Sequence, residues 1–176
     1  MPADVATLST VLDKTTTLIT GVAPEQRGLP TPCPDLDVAA LTDHLVGWLR
    51  MFADRAAGVE HQADPNQYRS GADPAAEFAA AGRRALAALG AEAGPLLGVM
   101  LIEYIGHGWD LAVATGQPVP FTDAEAQVAL DAARGMLQPG YRGPGKTFGY
   151  EVEVSADAPT VAKLVAFIGR DPVAAR

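Results

Sequence analysis

Residues 96–115 read LLGVMLIEYIGHGWDLAVAT, and the organisation of the chain follows from how this stretch must fold. Pro95 stands where a helix begins, and Gly116 with Pro118 just beyond is ordinary termination chemistry, so the spacing predicts one long, highly apolar helix. At roughly 100° per residue, Leu96, Met100, Glu103, His107, Leu111 and Ala114 fall within a sector of about 80°. A carboxylate and an imidazole therefore sit in the middle of an apolar stripe. An unmatched carboxylate in such a place costs several kcal/mol, so a positive partner is expected against Glu103.

Upstream, Val38, Leu41, Leu45, Trp48 and Phe52 recur at steps of three and four behind the capping residue Asp37, which predicts a helix ending near Gly58. His44 lies one turn after Leu41 and one before Trp48, so it too points inward. A first helix carries Val5, Leu8, Leu12, Ile19 and Val22, with Thr15 and Thr16 filling the gap in its stripe. It gives way to the extended loop GLPTPCPD at 28–35, where three prolines forbid helix. The aperiodic stretch 61–74, HQADPNQYRSGADP, reads as a loop unusually long for a compact domain and so a candidate to border a site. Asp73 and Pro74 then open a third helix running to Gly90.

Downstream, Thr122 and Glu125 form a capping box for a fifth helix reaching about Leu137. Residues 138–150, QPGYRGPGKTFGY, are turn-rich, and EVEVS at 151–155 alternates as a short strand or extended arm would. Asp157 is expected to cap a last helix bearing Val161, Leu164, Val165 and Ile168, closed by Gly169. The expected fold class is all-α: an antiparallel four-helix bundle with a short C-terminal strand and helix extension, one domain over residues 1–176.

Composition narrows the function. A net charge of −8 argues against nucleic acid or an anionic membrane as partner, because both are held by clustered Lys and Arg. One cysteine, Cys33, cannot form an internal bridge, and its place between prolines gives it a packing role. The N-terminus lacks a basic segment followed by an apolar one, and no run approaches 18 apolar residues, so neither export nor membrane insertion is expected and the cytoplasm is. His61, in the polar loop, is read as solvated. The run RGPGK lacks the strand and the Ser or Thr helix start of a phosphate loop.

A Glu and a His four residues apart stack on one helix face, and a His from a facing helix completes a triangle of ligands: His44, Glu103 and His107. That set suits a divalent metal, zinc first, with nickel, iron or manganese also matched to the donors. Three protein ligands leave room for water or substrate, as in a catalytic site. Asp110 lies close in angle to Glu103, as a fourth ligand or as a partner that orients a ligand. Two alternatives stay open from spacing alone. The three side chains could form a metal-free hydrogen-bonded cluster, or an acid/base site in which burial raises Glu103.

Three strings bring a family into view: PTPCPDLDVAALTDHLVGW at 30–48, EYIGHGWDLAVATGQP at 103–118 and AFIGRDP at 166–172. Together they resemble the DinB-like superfamily, in its actinobacterial branch related to mycothiol-dependent maleylpyruvate isomerase, over nearly the whole chain. The resemblance implies a metal-dependent four-helix bundle with His44, Glu103 and His107 as metal ligands. It also implies a thiol S-transferase that uses mycothiol or a similar thiol as co-substrate, with Asp110, Trp109 and Trp48 shaping the surroundings. The chain departs from the isomerase in lacking its extra C-terminal domain and in a shorter Gly90–Pro95 connection, which tells against isomerisation. Small-molecule substrates are the expected partners, and an apolar helix face would also serve a homodimer. The reading of another class is a non-catalytic bundle in which a bound ion or ligand fixes the packing.

Overall fold

The computed structural model describes residues 4–90 and 94–174, so most of the Gly90–Pro95 connection lies outside the described residues. Six α-helices occur among them: α1 (Val5–Thr20), α2 (Val38–Ala56), α3 (Pro74–Ala88), α4 (Gly94–Thr115), α5 (Asp123–Met136) and α6 (Thr160–Phe167). Their starts follow local chemistry. Asp37 and Asp73 accept from the backbone N–H groups of Ala40 and Ala76, and Thr122 with Glu125 makes the reciprocal capping box.

Helices α1 to α4 form the bundle, in the cyclic order α1, α3, α2, α4. Side-chain bonds set their directions. Thr15 on α1 reaches the carbonyl of Tyr104 while Gln117, just past α4, donates to Leu18 at 3.0 Å, so α1 and α4 run the same way. Asp43, early in α2, accepts from Ser70 N at 2.9 Å, and Asp54, late in α2, pairs with Arg84, late in α3. Thus α2 and α3 also run parallel to each other. The antiparallel neighbours are α1 with α3 and α2 with α4, giving an up-down-down-up bundle.

That topology explains the long aperiodic loop. A parallel α2–α3 pair needs a connection that returns the length of α2, about 28 Å at 1.5 Å per residue. Residues 57–73 supply it, laid so closely along α2 that any side chain at Gly47 would collide with Pro65 and Tyr68. His61 is not solvated as expected. Its Nδ1–H donates to Asp54 at 2.6 Å, and only 18% of its side chain is exposed, because Asp54 gathers both His61 and Arg84 where the loop leaves α2.

Helix α4 touches α1, α2, α5 and α6, which is why it is apolar nearly all round. By length and composition it could cross a membrane, but 78% of its most apolar window is buried inside the fold, marking it as the core helix. The core is contiguous from Leu8 to Ile168, and Tyr104 sits at its centre, edge-on to Phe78 with ring centroids 5.5 Å apart.

Two details of the C-terminal segment differ from expectation. Residues 151–155 form no strand. Their extended backbone meets α6 through a Val152 N–H to Ala166 carbonyl bond of 3.0 Å, with no neighbouring strand to build a ladder. Helix α6 is not capped by Asp157. It begins after Pro159, and the N–H of Thr160 donates to Asp123 at 2.8 Å, so the first residue of α5 anchors it through space.

Candidate metal centre

His44 on α2 and Glu103 and His107 on α4 converge where these antiparallel helices face each other. His44 Nε2–H donates to Glu103 Oε1 at 2.8 Å, and His107 Nε2 lies 3.6 Å from the same oxygen. The imidazole centroids are 4.8 Å apart. One ligand atom from each residue falls within 4.8 Å of the other two, the spacing a single small cation could bridge. The side chains are 12–21% exposed, and all three line one cavity.

Asp110 is fully buried one turn beyond His107. Its Oδ2 lies 3.0 Å from His107 Nδ1, and Arg170 grips the same carboxylate through Nη2 at 2.8 Å and Nε at 3.3 Å. Burial pushes the Asp110 carboxyl up, but His107 and Arg170 outweigh it and hold the group below the ordinary 3.8. An ionised carboxylate only accepts, so Nδ1 of His107 must carry the proton. The nearby Arg170 Nη2, 3.3 Å from Nδ1, is then a contact rather than a donor to it. With Nδ1 directed at Asp110, Nε2 is the ring atom that His107 turns toward Glu103 Oε1, and in the neutral tautomer it presents a lone pair there. A cation seated between that nitrogen and the carboxylate 3.6 Å away would satisfy both.

Burial also pushes Glu103 up, and the charge of His107, the His44 bond and Arg170 more than offset it, leaving the carboxyl below the ordinary 4.5. The raised-carboxylate expectation for a metal-free acid is therefore not met. In a second grouping, Cys33 with His107 and Asp110, the ligand atoms also lie within 4.8 Å of one another. It is the poorer cation seat, because Arg170 already occupies both Asp110 oxygens.

Cys33 is not merely packing: it lines the cavity beside the imidazole, where burial raises its thiol above the ordinary value despite the charge of Arg170. Trp48 also lines the cavity and donates from Nε1 to Asn66 at 3.0 Å, so the long loop reaches the site only through this ring and lends no residue to the cavity wall. Trp109 does not shape the cavity; it is 6% exposed and packs in the core.

Sequence reasoning noticed Arg170 only inside a terminal motif. The signal for its role was Gly169, at φ +98°, whose backbone packs against Gly149 so tightly that a Cβ would lie 2.5 Å from the Gly149 Cα. This left-handed turn ends α6 and directs the next side chain back into the bundle.

The cavity measures about 830 Å³. Its inner wall comes from α2 and α4, and its outer wall from residues 143–150 and 168–170.

A family model described as the mycothiol maleylpyruvate isomerase N-terminal domain matches residues 8–112. Two uncharacterised proteins from two strains of Mycobacterium tuberculosis are each 34% identical over 163 residues, covering 87% of this chain and 90% of their own length. No solved structure matches.

Proposed function

Because the chain belongs to the family of the mycothiol maleylpyruvate isomerase N-terminal domain, we propose that it is a metal-dependent thiol S-transferase whose co-substrate is mycothiol or a similar small thiol. His44, Glu103 and His107 would hold a divalent ion, zinc first and nickel, iron or manganese on the same donors. The observation that carries the reading is the convergence of one ligand atom each from His44, Glu103 and His107 within 4.8 Å at the wall of a cavity large enough for small molecules. When bound, the ion would lower the pKa of a coordinated thiol and keep the thiolate form at neutral pH.

The chain's own residues do the rest. Asp110 fixes the tautomer and plane of His107, Arg170 keeps Asp110 ionised, and Glu103 brings the negative charge that draws a cation between α2 and α4. Pro32, Trp48 and Phe148 line the same cavity and would shape what reaches the triad. Cys33, with its thiol pushed up, stays protonated and leaves the nucleophile's part to the incoming thiol. A single unit over residues 1–176 acting in the cytoplasm, where small thiols are reduced, belongs to the same proposal.

Metal analysis of the purified protein beside His107→Ala tests this. About one equivalent is expected in the parent and a sharp fall in the variant, with the far-UV helical signal retained. A thiol should then perturb the visible spectrum of the cobalt-substituted protein. Metal-free parent protein, or equal occupancy in both, would overturn the reading. It would favour instead the metal-free polar pair that the direct His44–Glu103 bond allows.

A further inference from the structure

The cavity beside the triad is walled mainly by apolar side chains, with the polar groups gathered at the triad, around Arg170 and at the outer edge. From the bundle come Phe52, Val99 and Ile102, and from the C-terminal segment Leu137 and Phe148. Large apolar side chains continue to its mouth, where Met136 is 37% and Tyr150 68% exposed. Exposed rings and thioethers leading into a buried apolar chamber form a continuous path for an apolar molecule.

The charges tell the same story by where they are committed. The inner cation, Arg170, is neutralised by Asp110 and donates further to the carbonyl of Ile168. Glu103 repels anions from the chamber floor. At the outer edge Lys146 and Asp35 are both exposed and oppose each other in sign. Among the described residues no uncommitted guanidinium or ammonium remains inside to receive an anion, and a desolvated anion without a partner is strongly disfavoured.

We propose that the molecule taken into this chamber beside the triad is uncharged and largely apolar, of the size of a small aromatic. Calling it the second substrate, the acceptor of the thiol, rests on the function proposed above. The pocket's preference for neutral molecules does not.

The test is calorimetric titration of the full chain with two probes of equal ring size, naphthylmethanol and naphthalenesulfonate. Sulfonate is a poor metal ligand, so the comparison is independent of metal content. Naphthylmethanol is expected to bind at least about tenfold more tightly. Val99→Lys, a half-buried position on the cavity wall able to extend its ammonium toward solvent, should raise sulfonate affinity and reverse the order. Phe148→Ala, on the separate outer wall, should weaken the alcohol while leaving the helical signal unchanged. Tighter or equal binding of the sulfonate by the parent protein, or binding of neither probe, overturns the proposal. Neutral preference without any metal or thiol response would retain the apolar pocket and reject the transferase reading. Metal and thiol response with sulfonate preference would do the reverse.

Discussion

Replacing Arg170 by Met isolates the interaction on which the candidate site's rigidity depends. Asp110 has no exposed side-chain surface, and its cationic partner Arg170 is only 11% exposed. Removing one member of a buried pair leaves the other charge without compensation, at a cost of about 3–5 kcal/mol. A chain of this size loses about 2–4 °C of melting temperature per kcal/mol, so Arg170→Met should melt roughly 6–20 °C lower. Asp110→Asn in the Arg170→Met background removes the orphaned charge yet retains an amide oxygen to accept from His107 Nδ1. The double variant should therefore recover half or more of the loss. Thermal melts of the parent, both single variants and the double variant close the cycle. The reasoning is refuted if the two single losses add to the double loss within about 0.5 kcal/mol, because Arg170 and Asp110 would then act independently.

Other expectations follow from single contacts. The Lys14 ammonium bonds both oxygens of Glu125 at 2.7 Å, and although burial opposes it, this bond and the Thr122 contacts hold the Glu125 carboxyl below the ordinary 4.5. Its stabilisation is thus complete above that value and lost as pH falls through the lowered one. Lys14→Met should cost about 1 kcal/mol at neutral pH and flatten the acid limb of the stability curve; superimposable acid limbs would contradict this. The hydroxyl of Tyr104 is buried without a partner among the described residues, so Tyr104→Phe should be neutral or stabilising by up to about 1 kcal/mol in denaturant titration, whereas a clear loss would reveal a bond this geometry lacks.

Much of the bundle was legible because its signals are local. Caps at Asp37, Asp73 and Thr122 and stripes on α2 and α4 depend on neighbours within a turn, and the structure reproduces those helices and their starts. The convergence of His44 on Glu103 and His107 was legible for a related reason: each residue replaces an apolar side chain in an inward stripe, so all three had to meet inside. What stayed hidden depends on tertiary placement. The start of α6 is bonded by Asp123, 37 residues away, while Asp157, the nearer capping candidate, leaves it alone. His61 reads as a solvated loop residue until the return path of residues 57–73 sets it against Asp54.

The C-terminal segment is where the site outgrows the family match. That match ends at residue 112, so it contains all three triad residues and Asp110 but none of the cavity's outer wall. A bundle ending there would leave Asp110 without Arg170 and the face of α4 at Gly106 bare, where Ile168 now packs so closely that a methyl group would collide with it. The segment is thus more than a covering. It supplies the counter-charge that keeps Asp110 ionised, and through Asp110 the proton position of His107, and it closes the chamber in which a ligand would meet the triad. The mycobacterial relatives match along 87% of the chain, so their likeness to it runs past the end of the family match into this segment.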